Sequence, residues 1–421
     1  MKHSGIDWIG EIPKEWKLVP TKRLFSCKKQ IAGENAVDYE RLALTMQGVI
    51  KRDKEDNEGL QPEKFDGYQI LKRNEIVFKL IDLANIKTSR VGLSPYLGIV
   101  SPAYIIIRNN SEDNRYFYYW FMFMYHQNIF NQMGDDGVRS SLNADDVLKI
   151  PIANISLSEQ QKIANYLDKV CGEMDEMIAL QEQMIEDLKA YKQSVITEAV
   201  TKGLNRNVPM KESGIDWIGE VPEGWRISKI KMIAKTNSGS TPRNISNSDN
   251  SDIIWIRTTD INDDVVNDSS IHLTLEEFSS ASCPMLDRGA CVVAMYGGSG
   301  TIGKSGFLDV RATINQALCS MEVNDSYHDK YLFCVLKAVR YYWMKYAVGT
   351  RKDPNISQET VRNMFVPMPS LSEQQSIATY LDTKCAEIDD LIAIKASKIE
   401  ELKDYKKSVI YEYVTGKKEV V

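Results

Sequence analysis

The stretch MYGGSGTIGKSG has the residue spacing of a phosphate-binding loop. Gly298 is followed, after four residues, by Gly303, Lys304 and Ser305, as in the loop of nucleotide hydrolases. In such a loop the backbone N–H groups cradle phosphates and the serine hydroxyl binds Mg²⁺. The loop must also open a helix, because the helix N-terminus supplies the free N–H groups. Ser305 is followed by GFLDVRATINQALCSMEV, which is β-prone and lacks an apolar period of 3.6, so we expect no nucleotide site.

Other residue sets that could do chemistry are missing. The seven cysteines form no C-x-x-C pair and only four histidines are present, so a metal site is not expected. No G-x-S-x-G or H-E-x-x-H motif occurs. No two prolines are adjacent, which excludes the Asn/Asp-Pro-Pro-aromatic motif of amino methyltransferases. The odd number of cysteines fits reduced thiols in a cytoplasm. We therefore expect a binding protein and not an enzyme.

The net charge of −6 is unevenly distributed along the chain. Residues 17–157 carry 19 Lys/Arg against 17 Asp/Glu, and residues 226–370 carry 16 against 15. The acidic excess lies in residues 158–205, with 5 against 9, and in residues 371–421, with 8 against 10. Two nearly neutral blocks therefore alternate with two acidic ones. A neutral block can still carry a basic face for nucleic acid.

The chain contains an internal repeat of about half its length. Three segments occur twice, 209 residues apart for the first and 214 for the others: KHSGIDWIGEIPKEW (2–16) and KESGIDWIGEVPEGW (211–225), LSEQQKIANYLD (157–168) and LSEQQSIATYLD (371–382), LKAYKQSVITEAVT (188–201) and LKDYKKSVIYEYVT (402–415). A period of this length indicates a duplicated domain-plus-helix unit. The blocks between the shared segments differ.

Two of the shared segments predict long helices. Ser158 with Gln161, and Ser372 with Gln375, fit capping boxes. Behind each box apolar residues follow at heptad spacing without a proline: Ile163, Leu167, Val170, Met174, Met177, Met184, Leu188, Tyr191 and Val195, then Ile377, Leu381, Ile388, Ile392, Ile399, Leu402, Tyr405 and Val409. Each helix could span about 44 residues, roughly 66 Å. So long a seam needs a partner, and we predict that the two helices pair as an antiparallel coiled coil. The alternative is two helices buried in separate cores.

The two differing blocks are predicted to be mixed α/β domains. Four segments favour strands by their β-branched content: 75–81, 101–108, 252–261 and 290–296. Residues 115–130 and 330–346 favour aromatic, apolar helices, which we expect to be core although their rings could stack nucleobases. The predicted fold class is thus α/β (α+β): two such domains joined by two long paired helices, with an internal pseudo-twofold repeat.

The order of motifs resembles the specificity subunit of Type I restriction-modification systems. Each block is led by SGIDWIGE-P--W and followed by LSEQQ and a long helix. Further matching motifs are GSTP (239–242), WIRTTDI (255–261), AMYGGSGTIGK (294–304) and NQA (315–317), with SPAY (101–104) in the place of NQA in the first block. The resemblance covers essentially the whole chain.

This resemblance implies a non-catalytic reader of double-stranded DNA with an asymmetric bipartite target. It implies target-recognition domains within residues 1–157 and 206–370, and coiled-coil helices in residues 158–205 and 371–421. The implied partners are two adenine methyltransferase (M) subunits and restriction (R) subunits, which would carry S-adenosylmethionine, ATP and Mg. The implied location is the cytoplasm, with no membrane contact. Two rival functions are a P-loop ATPase or DNA motor and a coiled-coil protein adaptor.

Contacts to phosphate are expected from features that both blocks share, because shared features cannot distinguish different sequences. Arg139 and Arg351 each follow a glycine by two residues and precede a predicted helix cap, at Asn143 and Ser357. A helix start beside an arginine suits a phosphate. The alternative is a turn with a solvated arginine.

Contacts to bases are expected from polar residues in loops where the blocks differ, since Arg, Lys, Asn and Gln suit purine edges in the major groove. These candidates are Gln47, Lys51, Arg52, Lys79 and Asn85 in the first block and Ser240, Arg243, Arg257, Thr258 and Ser299 in the second. At an offset of 214, Lys304 corresponds to Arg90, so a loop that presents a cation to DNA is expected in both copies. The alternative for each is a solvated surface side chain.

Overall fold

The computed structural model describes residues 1–55, 64–83, 90–109, 111–133, 141–243, 245, 252–298, 300–348 and 354–420. The chain divides into two compact units, and each contains one of the differing blocks and part of both long helices. The first unit is Met1–Glu182 with Ala396–Val421, and the second is Gln183–Lys395. Within the described residues, none of the helices is long and apolar enough to cross a membrane.

The first unit has a mixed four-stranded sheet and an antiparallel three-stranded sheet. The strands of its described part are β1 (Lys2–His3), β2 (Glu11–Ile12), β3 (Lys17–Pro20), β4 (Arg41–Thr45), β5 (Gly48–Arg52), β6 (Gln69–Leu71), β7 (Ile76–Phe78), β8 (Val91–Leu93), β9 (Gly98–Val100), β10 (Ile105–Ile107) and β11 (Pro151–Asn154). The helices are α1 (Asn114–His126), α2 (Ile129–Met133), α3 (Ala144–Lys149) and the first part of α4 (Leu157–Lys202). The sheet orders are β5-β4-β9-β6 and β10-β7-β8, and β3 pairs with β11 and β1 with β2.

The second unit has a five-stranded and a three-stranded sheet. The strands of its described part are β12 (Met210–Glu212), β13 (Glu220–Pro222), β14 (Arg226–Lys229), β15 (Ala234–Ser238), β16 (Ile253–Ile256), β17 (Asp264–Val266), β18 (His272–Leu273), β19 (Cys291–Ala294), β20 (Ser305–Leu308), β21 (Thr313–Ile314), β22 (Leu318–Val323) and β23 (Phe365–Met368). The helices are α5 (Ile230–Ile233), α6 (Leu275–Ala281), α7 (Asp329–Ala338), α8 (Gln358–Asn363) and α9 (Leu371–Val414), whose end belongs to the first unit. The sheet orders are β15-β22-β19-β20-β17 and β18-β16-β21.

The aromatic helices are core elements, as the sequence predicted. In α1 the side chains of Tyr116, Phe117, Trp120 and Phe121 are fully buried. The ring of Phe121 meets that of Phe78 in β7 edge to face, with centroids 4.9 Å apart. The predicted helix 330–346 is α7 followed by a short 3₁₀ helix, Tyr342–Tyr346. The four predicted strand segments contain β7, β10, β16 and β19.

The caps of the long helices lie earlier than predicted. The backbone N–H of Glu159 donates to Ser156 Oγ at 3.2 Å. At the start of α9 the backbone N–H of Glu373 donates to Ser370 Oγ in the same way, at 3.3 Å. Ser158 and Ser372, the predicted caps, lie inside the first turn. The prediction was wrong by two residues, because Ser156 and Ser370 stand three residues before a glutamate and so fit the same capping-box pattern. The glutamate and the glutamine after it make tertiary contacts.

Those tertiary contacts form the same joint in each unit. Trp16 Nε1 donates to Glu159 at 3.1 Å, and the fully buried side chain of Gln160 accepts from the backbone N–H of Asp113 at 2.9 Å. The hydroxyl of Tyr116 donates to the carbonyl of Val414 at 3.1 Å. The second unit repeats these three bonds as Trp225–Glu373, Gln374–His328 and Tyr331–Val200. The repeated segments therefore fasten each of the two differing blocks to both long helices.

The helices run antiparallel within the first unit, as predicted. The rings of Tyr166 and Tyr413 lie 4.3 Å apart, while Asp175, further along α4, pairs at 2.6 Å with Lys406, which lies earlier in α9.

The second unit contains the same ion pair with the helices exchanged, since Lys192 of α4 pairs with Asp389 of α9 at 2.6 Å. Asp389 and Lys406 lie 214 residues after Asp175 and Lys192. The internal repeat is thus confirmed in side-chain contacts.

The predicted apolar seam was wrong at three of its nine positions in α4. Cys171 and Met174 are buried and Ile178 is half-buried, so the seam runs through 171, 174 and 178. Three predicted seam residues of α4 and one of α9 are instead exposed: Met177, Met184, Tyr191 and Tyr405. Two neighbouring apolar rows occupy α4, and heptad spacing alone does not tell which row faces the partner helix.

Candidate functional site

The segment with phosphate-loop spacing is not a phosphate loop. Ser305 begins the strand β20, so the expectation that no helix follows is confirmed. The carboxylate of Asp263 accepts from the backbone N–H of Ser305 at 2.8 Å and from its hydroxyl at 3.0 Å. A carboxylate at this position repels phosphate and uses the donors that phosphate would need.

In the second block several strands end side by side, so the loops that follow or precede them lie along one edge of the sheets. β15 ends where Ser238 pairs with Cys319, and β19 ends where Ala294 pairs with Leu318. The parallel strands β16 and β21 also end together. The loop residues 239–243, 257–263, 295–298, 300–304 and 315–317 therefore share this edge, which we call edge 2.

Close backbone packing holds the first of these loops. The backbone N–H of Ser240 donates to the carbonyl of Ile314 at 3.1 Å. A Cβ on Gly239 would lie 2.0 Å from that carbonyl oxygen, so only glycine fits. The carbonyl of Ser240 accepts from Trp255 Nε1 at 3.2 Å. The loop is thus fixed against two neighbouring segments.

Edge 2 brings together the described candidates of the second block. Arg257 donates through its backbone N–H and Nε to Asp260, at 2.9 and 3.3 Å, and its guanidinium also reaches Ser270 at 2.6 Å. Arg243 is exposed, and Thr258 and Lys304 are half-buried. Ser299 lies outside the described residues.

The candidates of the first block lie in two places. Gln47 is exposed in the turn between β4 and β5, and Lys79 directly follows β7. Lys51 and Arg52 lie at the other end of that hairpin, where Arg52 pairs with Arg41 across the strands. Lys51 also lies over the ring of Tyr96, 5.7 Å from its centroid. Asn85 is outside the described residues.

The turn of Gln47 and the loop after β7 meet at one cavity. This cavity of about 490 Å³ is lined by Met46 of the turn and by Leu83 and Arg90 of the loop, together with residues of α1 and both long helices. We call the turn 46–47 and the loop 79–83 edge 1. The pKa of Lys79 is lowered, first by burial and then by the charge of Arg90.

Arg90 is placed differently from the expectation. Its side chain is buried, and its guanidinium donates to the carbonyls of Ile81, Asp82 and Leu83 at 2.9–3.1 Å. Burial and these bonds commit the guanidinium to its own loop. A contact of Arg90 with DNA stays a prediction, and its partner in the repeat, Lys304, is the half-exposed cation of the two.

The two predicted phosphate sites can be described only in part, because Arg139 and Arg351 lie outside the described residues. The helix caps that follow them are confirmed. The side chain of Asn143 accepts from the backbone N–H of Asp145 at 2.8 Å, at the start of α3. Ser357 Oγ accepts from the backbone N–H of Thr360 at 3.0 Å, at the start of α8.

Sequence reasoning missed Tyr296 and Gln316, which also belong to edge 2. Tyr296 is exposed two residues after β19, and the side-chain amide of Gln316 forms a hydrogen bond with the hydroxyl of Thr241. Tyr296 lies in the motif AMYGGSGTIGK and Gln316 in the motif NQA, so membership of these motifs could have identified both residues from the sequence. Among the described residues no group of three His, Cys, Asp or Glu side chains could hold a metal ion.

Comparison with known proteins gives one consistent family. The family model for the Type I restriction modification DNA specificity domain matches residues 21–190 and 222–404. A putative type I restriction enzyme MjaX specificity subunit of Methanocaldococcus jannaschii is 23% identical, over 97% of this chain and 95% of that protein. The type I restriction enzyme EcoBI specificity subunit of Escherichia coli is 24% identical, over 56% of this chain and 51% of that one.

Two solved structures share the fold. A chain from a study of complex assembly and conformational transition of the type I R-M system has a TM-score of 0.72 at 15% identity, over 96% of this chain and 98% of that one. The HsdS subunit of Thermoanaerobacter tengcongensis has a TM-score of 0.52 at 16% identity, with the same coverage. With its two domain matches covering most of its length, this chain belongs to the family of Type I restriction-modification DNA specificity proteins.

Proposed function

We propose that this chain reads an asymmetric bipartite target on double-stranded DNA, with one half-site for each recognition block and an unread gap between them. As a member of the specificity family it is a DNA-recognition subunit and not an enzyme. The observation that supports the bipartite target is the repeated joint, which fastens a different block to the same helices in each unit. The joints have the same hydrogen bonds in both units, whereas the loops of the two blocks differ in sequence, and this combination suits two half-sites of different sequence.

We assign base reading to the two edges. Arg257 is the best-supported reader, because Asp260 and Ser270 orient its guanidinium and a guanidinium fork matches a guanine edge. The other proposed readers are Gln47 and Lys79 at edge 1 and Ser240, Arg243, Thr258 and Lys304 at edge 2, together with Asn85 and Ser299, which lie outside the described residues. Lys51 and Arg52 are proposed to contact phosphates, because they lie at the end of their hairpin away from edge 1. Arg139 and Arg351 are proposed to contact phosphates, because an arginine at this place recurs in both blocks.

The long helices are proposed to bind two copies of the methyltransferase subunit. Each unit exposes an equivalent apolar set, related by the offset of 214. The sets are Met177 (45% exposed), Leu180 (59%) and Tyr405 (58%) in the first unit, and Leu391 (46%), Ile394 (62%) and Tyr191 (52%) in the second. We call them patch 1 and patch 2. Equal patches suit two copies of one partner, because large apolar side chains left exposed are a feature of protein interfaces.

The cofactors of the complex are proposed to belong to its other subunits. In this proposal the methyltransferase subunits bind S-adenosylmethionine and flip the target adenine, and restriction subunits bind ATP and Mg. The complex is placed in the cytoplasm, and the seven free cysteines fit a reducing compartment.

A binding experiment separates this proposal from its rivals. The chain, purified with its methyltransferase partner, is mixed with a pool of random duplexes, and the bound duplexes are sequenced. We expect enrichment of one bipartite sequence. A complex that assembles but enriches no sequence would favour the coiled-coil adaptor. The P-loop motor is disfavoured by the carboxylate of Asp263 at the apparent loop.

A further inference from the structure

Arg340 joins three segments beneath edge 2. It follows α7, and only 13% of its side chain is exposed. Its Nε pairs with the carboxylate of Asp263 at 3.0 Å, and its two terminal nitrogens donate to the carbonyls of Ile302 and, at 3.0 Å, of Gly300. All three nitrogens of the guanidinium thus contact protein atoms, which suits a planar fork of fixed geometry.

The partner carboxylate is itself held in a demanding conformation. Asp263 has a φ of +61°, in the left-handed region that few non-glycine residues adopt. One of its oxygens accepts from both the N–H and the hydroxyl of Ser305, and the other pairs with Arg340. Asp263 therefore ties the turn at its own position to the first residue of β20.

The loop above Arg340 lies flat on an aromatic ring. Gly303 has a φ of +79°, and a Cβ there would lie 2.4 Å from Cδ1 of Trp343. Trp343 is fully buried in the 3₁₀ helix that follows Arg340. Packing and hydrogen bonds therefore define the path of the described part of residues 298–304.

We propose that Arg340, through Asp263 and the carbonyls of Gly300 and Ile302, is a positioning residue that shapes residues 300–304 for reading the second half-site without touching DNA. The inference rests on the proposed function, in which that loop supplies part of edge 2. A loop already held in its bound shape loses less conformational entropy on binding. Discrimination between bases requires donors and acceptors at fixed places, so a loosened loop loses specificity for its own half-site.

Arg90 has the corresponding role in the first unit. Its guanidinium holds the carbonyls of Ile81, Asp82 and Leu83, which form the loop of edge 1. The arginine comes from a different place in the chain, because Arg90 precedes β8 whereas Arg340 follows α7. In this proposal each half-site depends on its own arginine, which is buried in the first unit and largely buried in the second.

The test measures discrimination at each half-site separately. Complexes of the methyltransferase partner with the wild-type chain, Arg340→Ala, Arg340→Lys or Asp263→Asn compete for duplexes altered in the first or the second half-site. We expect Arg340→Ala to lower discrimination at the second half-site by about tenfold or more, the scale of one lost base contact. The first half-site should be read as before. Arg340→Lys should recover part of the loss, since an ammonium still pairs with Asp263.

A matched control is Arg288→Ala, which breaks an exposed arginine–aspartate pair of the same unit, at 2.6 Å from Asp309. It should leave both half-sites unchanged. Arg90→Ala should reverse the pattern and affect the first half-site alone.

The outcomes distinguish failure of the proposed function from failure of the positioning role of Arg340. If the wild-type complex discriminates neither half-site, the proposed function fails. If the wild type reads both but Arg340→Ala reads the second half-site equally well, the positioning role fails. Equal loss at both half-sites also overturns it, since that result indicates a general loss of fold. Where Arg340→Ala does not fold, the near-isosteric Asp263→Asn decides by the same criteria.

Discussion

Patch 1 gives a sharp prediction about partner number. Replacing Met177 and Leu180 by glutamate should remove one of two methyltransferase copies and leave the other. Full burial of a Met or Leu side chain contributes about 1.5–3 kcal/mol, and about half of each side chain is exposed and available for burial. The pair therefore contributes about 2 kcal/mol, or roughly 30-fold in affinity. Burying two carboxylates adds a further penalty, so we expect a loss beyond about 100-fold.

The assay is native mass spectrometry of the purified complex at a concentration where the wild type carries two copies. The mirrored variant, Leu391→Glu with Ile394→Glu, should likewise keep one copy, and the four-fold variant should keep none. Leu275→Glu is the matched control, because Leu275 is also an exposed leucine on a helix. It should keep two copies.

Two results would refute the reasoning. Patch 1 would be no interface if its double variant kept both copies at all concentrations tested. The equivalence of the patches would be wrong if one double variant lost a copy and its mirror image did not.

Three further predictions concern other parts of the chain. The purified chain should show no ATPase activity, and Lys304→Ala should leave nucleotide binding unchanged in equilibrium dialysis; stoichiometric ATP binding that the substitution abolishes would contradict this. Arg139→Ala and Arg351→Ala should weaken binding to specific and random duplexes alike and reduce the salt slope by about 0.9 each, whereas a relaxed preference at one base position would assign them to base reading. Gln160→Ala should lower the free energy of unfolding by about 2–4 kcal/mol in urea, because it leaves the N–H of Asp113 and a buried carbonyl unpaired; the exposed neighbour Gln161→Ala is the control, and equal effects of the two would contradict the joint.

The sequence was sufficient for the elements that carry strong local signals. The repeat located both long helices, and the aromatic runs located α1 and α7, because apolar periodicity is a property of a single segment. The helix seam was less accessible. Met177 and Ile178 are both apolar, and only the approach of the partner helix decides which of them is covered.

The site could be predicted as a set of loops but not residue by residue. The motifs that carry the family resemblance in the second block lie in the loops of edge 2, and the strands before these loops end side by side. The role of an arginine, however, depends on burial and on carbonyls far away in sequence. Arg90 was expected at the DNA and lies buried in its own loop, while Arg340 had no local signal although it holds residues 300–304.

The central claim is that two unequal edges read two unequal half-sites, and genome-wide mapping of methylated adenines tests it most directly. A host that carries this gene with its methyltransferase partner is sequenced, beside the same host with the gene deleted. We predict methylation at one motif made of two different half-sites and a gap of fixed length with no base preference, and its complete loss on deletion. Methylation at a continuous or palindromic motif, or methylation that persists without the gene, would contradict the account.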